Sequence, residues 1–217
     1  MTDHAERRHS FGEQGRITLV DRFGIWLSRR QIERFVPDVA GLRLGDIGSG
    51  FRASLVRSLL PRLRSAVVID VSLDPALSGV PNLTAIQGTL PDALAALADG
   101  SLEVIIANSV LEHLWEPLET LRQCWRILAP GGLCLVNVPS WWGKVFLELS
   151  AFRLGLSPAA EMDDHKMYYD PRDLWPLLVR AGFKPSGIRC FRHKFGLNTF
   201  AACRKQGGAP AGTMAPP

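Results

Sequence analysis

The chain has 217 residues, 47% of them hydrophobic and 21% charged, which is enough apolar material for one large core and too little length for two. A net charge of +4 at pH 7, with bases and acids interleaved along most of the chain, argues against a nucleic-acid partner. No apolar run reaches the roughly 18 residues a spanning helix needs, and the N-terminus lacks the apolar centre of a secretion signal, so a cytoplasmic protein is expected.

Residues 1–40 mix Arg7, Arg8, Arg16, Arg22, Arg29, Arg30 and Arg34 with Phe23, Ile25, Trp26, Leu27, Ile32 and Phe35. Those apolar spacings predict an amphipathic helix that caps the domain beside its first strand. Contact with an acidic substrate, or peripheral contact with a membrane surface, is the alternative use of its basic face.

The segment Leu42-Arg43-Leu44-Gly45-Asp46-Ile47-Gly48-Ser49-Gly50 then runs a short apolar strand into an acid and two closely spaced glycines. Residues without a Cβ let a ligand approach the backbone at the turn from strand to helix. A loop that cradles a pyrophosphate reads G-x-G-x-x-G and avoids an acid, which would repel phosphate; here Asp46 is present and Ala53 holds the third glycine position. The expected ligand therefore carries positive charge, and S-adenosylmethionine, with an ammonium and a sulfonium on a nucleoside body, fits.

A second buried-type strand, Ser65 to Asp70, ends in an acid whose carboxylate can accept both ribose hydroxyls. A third, Leu83 to Gly88, leads into Thr89 and Leu90. A fourth, Leu102 to Asn108, leads into Ser109-Val110-Leu111-Glu112-His113. Leu128-Ala129-Pro130-Gly131-Gly132 reads as a helix stop before a strand from Leu133 to Val138, and Gly187 to His193 and Thr199 to Arg204 read as the last two strands. The alternation predicts an α/β fold, a Rossmann-like doubly wound and mostly parallel sheet with helices on both faces, whose ligands sit at the carboxyl edge. Cys124, Cys134, Cys190 and Cys203 are far apart with no C-x-x-C and read as buried thiols. The Gly-, Pro- and Ala-rich stretch 206–217 has too little apolar surface to pack and reads as a disordered tail.

Four segments together carry a resemblance: Asp46-Ile47-Gly48-Ser49-Gly50, Asp70, Asn108-Ser109-Val110-Leu111-Glu112-His113, and Arg126-Ile127-Leu128-Ala129-Pro130-Gly131-Gly132. From about Leu42 to Cys203 the chain resembles the class I S-adenosylmethionine-dependent methyltransferases of the small-molecule branch. The resemblance implies a seven-stranded sheet with one antiparallel strand in a domain spanning 41–205. It also implies that Gly48 and Gly50 lie against the methionine part of the cofactor, that Asp70 holds the ribose, and that Asn108 flanks the methyl group. Asp46, Ser49, Val71, Gly88, Thr89, Leu90 and Ser109 complete the expected cofactor-binding set. Three positions depart from the family pattern: Ser49 where Cys or Gly is usual, Thr89 where many relatives have an acid for the adenine amino group, and Leu102-Glu103 where Phe-Asp is common.

Residues 139–171 are the expected lid and acceptor segment. Pro139-Ser140-Trp141-Trp142-Gly143 and the apolar stretch after it offer flat surface to a lipid tail, a quinone-like ring or a sugar face, or else pack as a hydrophobic lid. His165, with Asp163 or Asp164, has the composition of a base that takes a proton from a hydroxyl, and His113 is the rival. No metal is expected, because Asp163, Asp164 and His165 are adjacent in sequence and do not readily all face one ion. The reading is a methyltransferase acting at oxygen on a small-molecule or lipid- or sugar-linked acceptor. The alternatives are a non-catalytic S-adenosylmethionine-binding scaffold and, disfavoured by Asp46 and Ala53, a nicotinamide-dependent oxidoreductase.

Overall fold

The computed structural model describes residues 10–13, 19–146 and 165–207. Its strands are β1 (Arg43–Ile47), β2 (Ser65–Asp70), β3 (Leu83–Gln87), β4 (Leu102–Asn108), β5 (Leu128–Pro139), β6 (Ile188–His193) and β7 (Asn198–Arg204). They form one sheet in the order β3-β2-β1-β4-β5-β7-β6. β1 to β5 pair in parallel, and β7 runs antiparallel to both β5 and β6. The chain winds outward from β1 to β3 and returns to lay β4 on the other side of β1. The loops at the carboxyl ends of β1 and β4 therefore diverge and leave a crevice between them.

Both faces of the sheet are covered, which is why its strands read as nearly continuous apolar runs. Side chains alternate between the faces. Ile105, Ala107, Cys134 and Val136 enter one core, together with Leu121, Cys124 and Ile127 of α3 (Pro117–Ile127) and Leu174 and Leu178 of α4 (Pro171–Arg180). Val104, Ile106, Leu133 and Leu135 enter the other, with Ile32 of α1 (Leu19–Phe35) and Val56 and Leu59 of α2 (Ser54–Leu59). The three-and-four spacing of the buried helical residues is what lets each helix present one apolar stripe to the sheet. At the end of α1, the Phe35 ring stacks 5.6 Å from Phe200 of β7 and 6.2 Å from Phe191 of β6.

Several strand ends differ from the sequence reading by one residue, and β5 differs by more. Asp46 lies within β1, one residue before its end. β5 begins at Leu128, so Pro130, Gly131 and Gly132 belong to the strand and do not precede it. The physical reason is that the backbone there is paired: Gly131 N donates to Lys205 O (2.9 Å), and Lys205 N donates to Gly132 O (3.0 Å). Lys205 Nζ also takes the carbonyls of Trp125 (2.8 Å) and Leu128 (2.7 Å), closing the end of α3 with a cation. All four cysteines are free thiols; Cys134 and Cys203 face each other across β5 and β7. Among the described residues no helix is long and apolar enough to cross a membrane.

Candidate active site

A cleft of about 1510 Å³ opens at the carboxyl edge of the sheet. It is lined by Asp46, Gly48, Ser49, Gly50, Asp70, Val71, Gly88, Thr89, Leu90, Asn108 and Ser109, the entire cofactor-binding set expected from sequence, and by both histidines, His113 and His165. Asp164 lies outside the described residues.

The glycine loop is held to β2 by the backbone, since Gly48 N and Ser49 N both donate to Ile69 O, at 2.8 and 3.2 Å. Gly48 has φ +74° and would place a Cβ 2.2 Å from Val110 Cγ2, so no other residue fits there. Gly50 is also left-handed, at φ +72°, and Ala53 adopts φ +45° at the start of α2. These turns aim the Gly50 amide at Asp70: its Oδ2 accepts from Gly50 N (2.8 Å), while its Oδ1 accepts from the next residue's amide, Val71 N (2.8 Å). The Ser10 hydroxyl also donates to Asp70 Oδ1, and it accepts from Ser72 N at 2.9 Å. Phe51 N donates to Phe11 O (3.0 Å), so residues 10–11 lie across the loop. This strap has no signal in the sequence, because Ser10 meets Asp70 only through the fold.

Asp46 is 3% exposed and faces the cleft. Burial, and secondarily the charge of Asp70, raise its pKa to about 7. A buried acid poised to ionise suits a cationic ligand group and repels a phosphate.

The other half of the cleft is assembled from distant segments. Asn108 Oδ1 accepts from Asn137 Nδ2 (2.9 Å) across β4 and β5, and Ser109 N donates to Asn137 O (2.7 Å), leaving Ser109 left-handed at φ +57°. After this bend, Glu112 is 1% exposed. Its backbone oxygen accepts from Lys166 N (2.6 Å) and Met167 N (3.3 Å), and this clamp sets the His165 ring 4.8 Å from that of His113. His165 Nδ1 lies 3.0 Å from Tyr168 Oη. Sequence reasoning noted Glu112 within a motif but gave it no role.

Ser140 ties the acceptor segment to the turn between β6 and β7. Its Oγ donates to Gly196 O (2.6 Å) and accepts from Gly143 N (2.9 Å), while its N donates to Leu197 O (3.0 Å). Residues 141–146 are helical. Trp142, 60% exposed, and Phe195, 87% exposed, stand at the mouth of the cleft. Lys194 and Phe195 of that turn, both left-handed at φ +49° and +59°, were not foreseen as site residues. Burial lowers the Lys194 pKa to about 8 against the opposing pull of Glu112, and burial together with the Lys194 charge lowers that of His193 to about 4.

Residues 45–136 match a family model described as a methyltransferase domain. A solved S-adenosylmethionine-dependent methyltransferase from Archaeoglobus fulgidus has the same fold, with a TM-score of 0.61 at 13% identity over 87% of this chain and 100% of that one. Over residues 45–136 the chain is thus similar to the methyltransferase domain family, and its sheet has the methyltransferase fold. Among curated relatives of the domain, a probable S-adenosylmethionine-dependent methyltransferase from Mycolicibacterium smegmatis is 26% identical over 179 residues, 79% of this chain and 64% of that protein. A ubiquinone biosynthesis O-methyltransferase from Psychrobacter arcticus is 27% identical over 163 residues, 69% of this chain and 62% of that protein. The chain thus spans just under two thirds of the length of these two relatives. Family and fold imply S-adenosylmethionine as the cofactor of the methyltransferase domain. The residues present fit it: Asp46 is a buried acid for a cationic group, the left-handed Gly48 and Gly50 leave the loop backbone open to a ligand, and Asp70 presents a carboxylate already oriented by two amides.

Proposed function

We propose that this chain transfers a methyl group from S-adenosylmethionine to an oxygen of a small-molecule acceptor. The observation that carries the reading is the juxtaposition, in one cleft, of the Asp46–Gly50 loop and Asp70 on one side and the paired imidazoles of His113 and His165 on the other. The cleft, at about 1510 Å³, also exceeds the roughly 300–1,000 Å³ that one ligand of drug size occupies, leaving room for an acceptor beside the cofactor.

When bound, the cofactor supplies an electrophilic methyl group on a sulfonium. The chain's part is to hold the acceptor oxygen in line with that carbon, exclude water, and receive the hydroxyl proton. His165, its Nδ1 oriented by Tyr168, and His113 beside it are the groups that receive the proton. Asp164 is proposed as the companion carboxylate of His165. The described parts of the expected acceptor segment, residues 139–146 and 165–171, contribute to the acceptor wall, and the exposed rings of Trp142, Phe146 and Phe195 at the cleft mouth favour an acceptor with an apolar body, a lipid-linked or ring compound. The name of the P. arcticus relative supports transfer to oxygen. The nicotinamide alternative is disfavoured by the buried Asp46 in the loop, which would face a pyrophosphate.

The test is calorimetry with S-adenosylmethionine, S-adenosylhomocysteine and reduced nicotinamide dinucleotide, followed by a screen of phenols, hydroxyquinones and glycosides for S-adenosylhomocysteine release. Micromolar binding of the first two ligands and turnover of a hydroxylated acceptor are expected. Binding without turnover across the panel would favour the scaffold reading, and binding of the nicotinamide alone would favour the oxidoreductase.

A further inference from the structure

We infer that Glu112, His113 and His165 form a binding site for a divalent first-row transition-metal cation at the acceptor end of the cleft. One ligating atom from each of the three side chains lies within 4.8 Å of the other two. Bonds of about 2.1 Å to nitrogen and oxygen place neighbouring ligands about 3.4 Å apart in a tetrahedral site, so modest side-chain rotation closes the set around an ion. All three residues line the cleft, and positions of the coordination shell not filled by protein therefore face the space left for an acceptor.

Three features of the fold make this a built arrangement. The ligands come from segments about fifty residues apart, brought together by the backbone clamp of Lys166 N and Met167 N on Glu112 O. Tyr168 Oη sits 3.0 Å from His165 Nδ1, the outer-shell contact that orients a ligating imidazole and leaves Nε2 for the metal. Glu112, at 1% exposure, holds its carboxylate away from bulk solvent, where attraction to a cation is stronger than in water. Two imidazoles and one carboxylate select zinc, manganese or iron over magnesium or calcium, and three protein ligands with open positions is the pattern of a site that also takes substrate. An acceptor bearing two adjacent oxygen donors, such as a catechol or a vicinal diol, matches those open positions. A cation there makes an acceptor hydroxyl more acidic, and its proton leaves to solvent. On this inference the imidazoles act as ligands when the ion is bound, and as the proton acceptors of the proposed function when it is not. The expectation of no metal considered only the sequence neighbours Asp163, Asp164 and His165; this set shares only His165 with them.

The inference deepens the proposed function and rests on its acceptor site, but it is tested with the metal alone. Full-length protein is stripped with chelator and titrated with Zn2+ and Mn2+ by calorimetry, and with Co2+ by visible absorption. One ion per chain is expected, with Co2+ bands that mark nitrogen and oxygen ligation. Glu112→Gln and His165→Ala should abolish saturable binding, and Tyr168→Phe should weaken it by about tenfold or more. Far-UV circular dichroism checks that each variant is folded; the isosteric Glu112→Gln and Tyr168→Phe keep the test decisive if His165→Ala is not. Absence of saturable binding to the wild type, or Co2+ spectra indifferent to these substitutions, overturns the site. S-adenosylmethionine affinity, measured on the same metal-free samples, reports on the proposed function separately, so failure of one is distinguishable from failure of the other.

Discussion

At the scale of single residues, the two acids of the proposed cofactor half are held differently. Asp70 is held by Gly50 N and Val71 N, and those bonds point its oxygens into the cleft. Hydrogen bonds to a charged group contribute about 1.5–3 kcal/mol each, so Asp70→Ala should weaken S-adenosylmethionine by about tenfold to a hundredfold, whereas Thr89→Ala, which leaves the Thr89 backbone in place, should change it only mildly; calorimetry on both variants checks this. Asp46 holds its proton below about pH 7. A cationic ligand group prefers the ionised acid, so binding releases a proton at acidic pH. Affinity should rise with pH by up to about tenfold per unit until it levels near neutrality, and Asp46→Asn should flatten the profile. Calorimetry in buffers of different ionisation enthalpy counts the released protons directly. His165→Ala should lower turnover by about a hundredfold or more while cofactor affinity stays near that of the wild type. Equal kcat in the two proteins at saturating acceptor would remove His165 from the reaction.

At the scale of elements, the decisive contacts join segments that sequence reading treats apart. The helical stretch 141–146 is fixed to the turn after β6 through Ser140, and Gly143 sits so close to it that a Cβ there would lie 2.1 Å from Leu197 O. A backbone neighbour cannot rotate away, so Gly143→Ala should destabilise the domain by about 1–3 kcal/mol in urea unfolding and raise the KM for acceptor more than the Kd for cofactor. The β1 loop was legible because its chemistry is local: an apolar run, an acid and two glycines within nine residues. The strand ends at Asp70 and Asn108 were legible for the same reason. The extension of β5 back to Leu128 was not, because Pro130-Gly131-Gly132 carries a helix-stop signal that pairing with Lys205 overrides.

At the scale of the molecule, one sheet divides two cores, and α1 shares one of them through Phe35, Phe191 and Phe200. Phe200 is 1% exposed. Phe200→Ala should cost about 3–5 kcal/mol. Tryptophan fluorescence, reporting in part on Trp26 of α1, and far-UV circular dichroism should show coincident thermal transitions in wild type and variant, because α1 has no core of its own. Separate transitions would mean that α1 unfolds independently of the sheet.

The sequence by itself determined the doubly wound sheet, the carboxyl-edge position of the cleft and the strand-end residues that line its proposed cofactor half. Strand period, glycine turns and strand-end acids are encoded within a few residues of one another. Only the tertiary structure decided the acceptor half. The meeting of Glu112 and His113 with His165, the approach of Lys194 and Phe195 from the β6–β7 turn, and the strap of Ser10 over Asp70 join residues separated by tens of positions. Such contacts leave no periodic mark on the chain, because what brings them together is the closing of the sheet and the pairing of buried backbone groups.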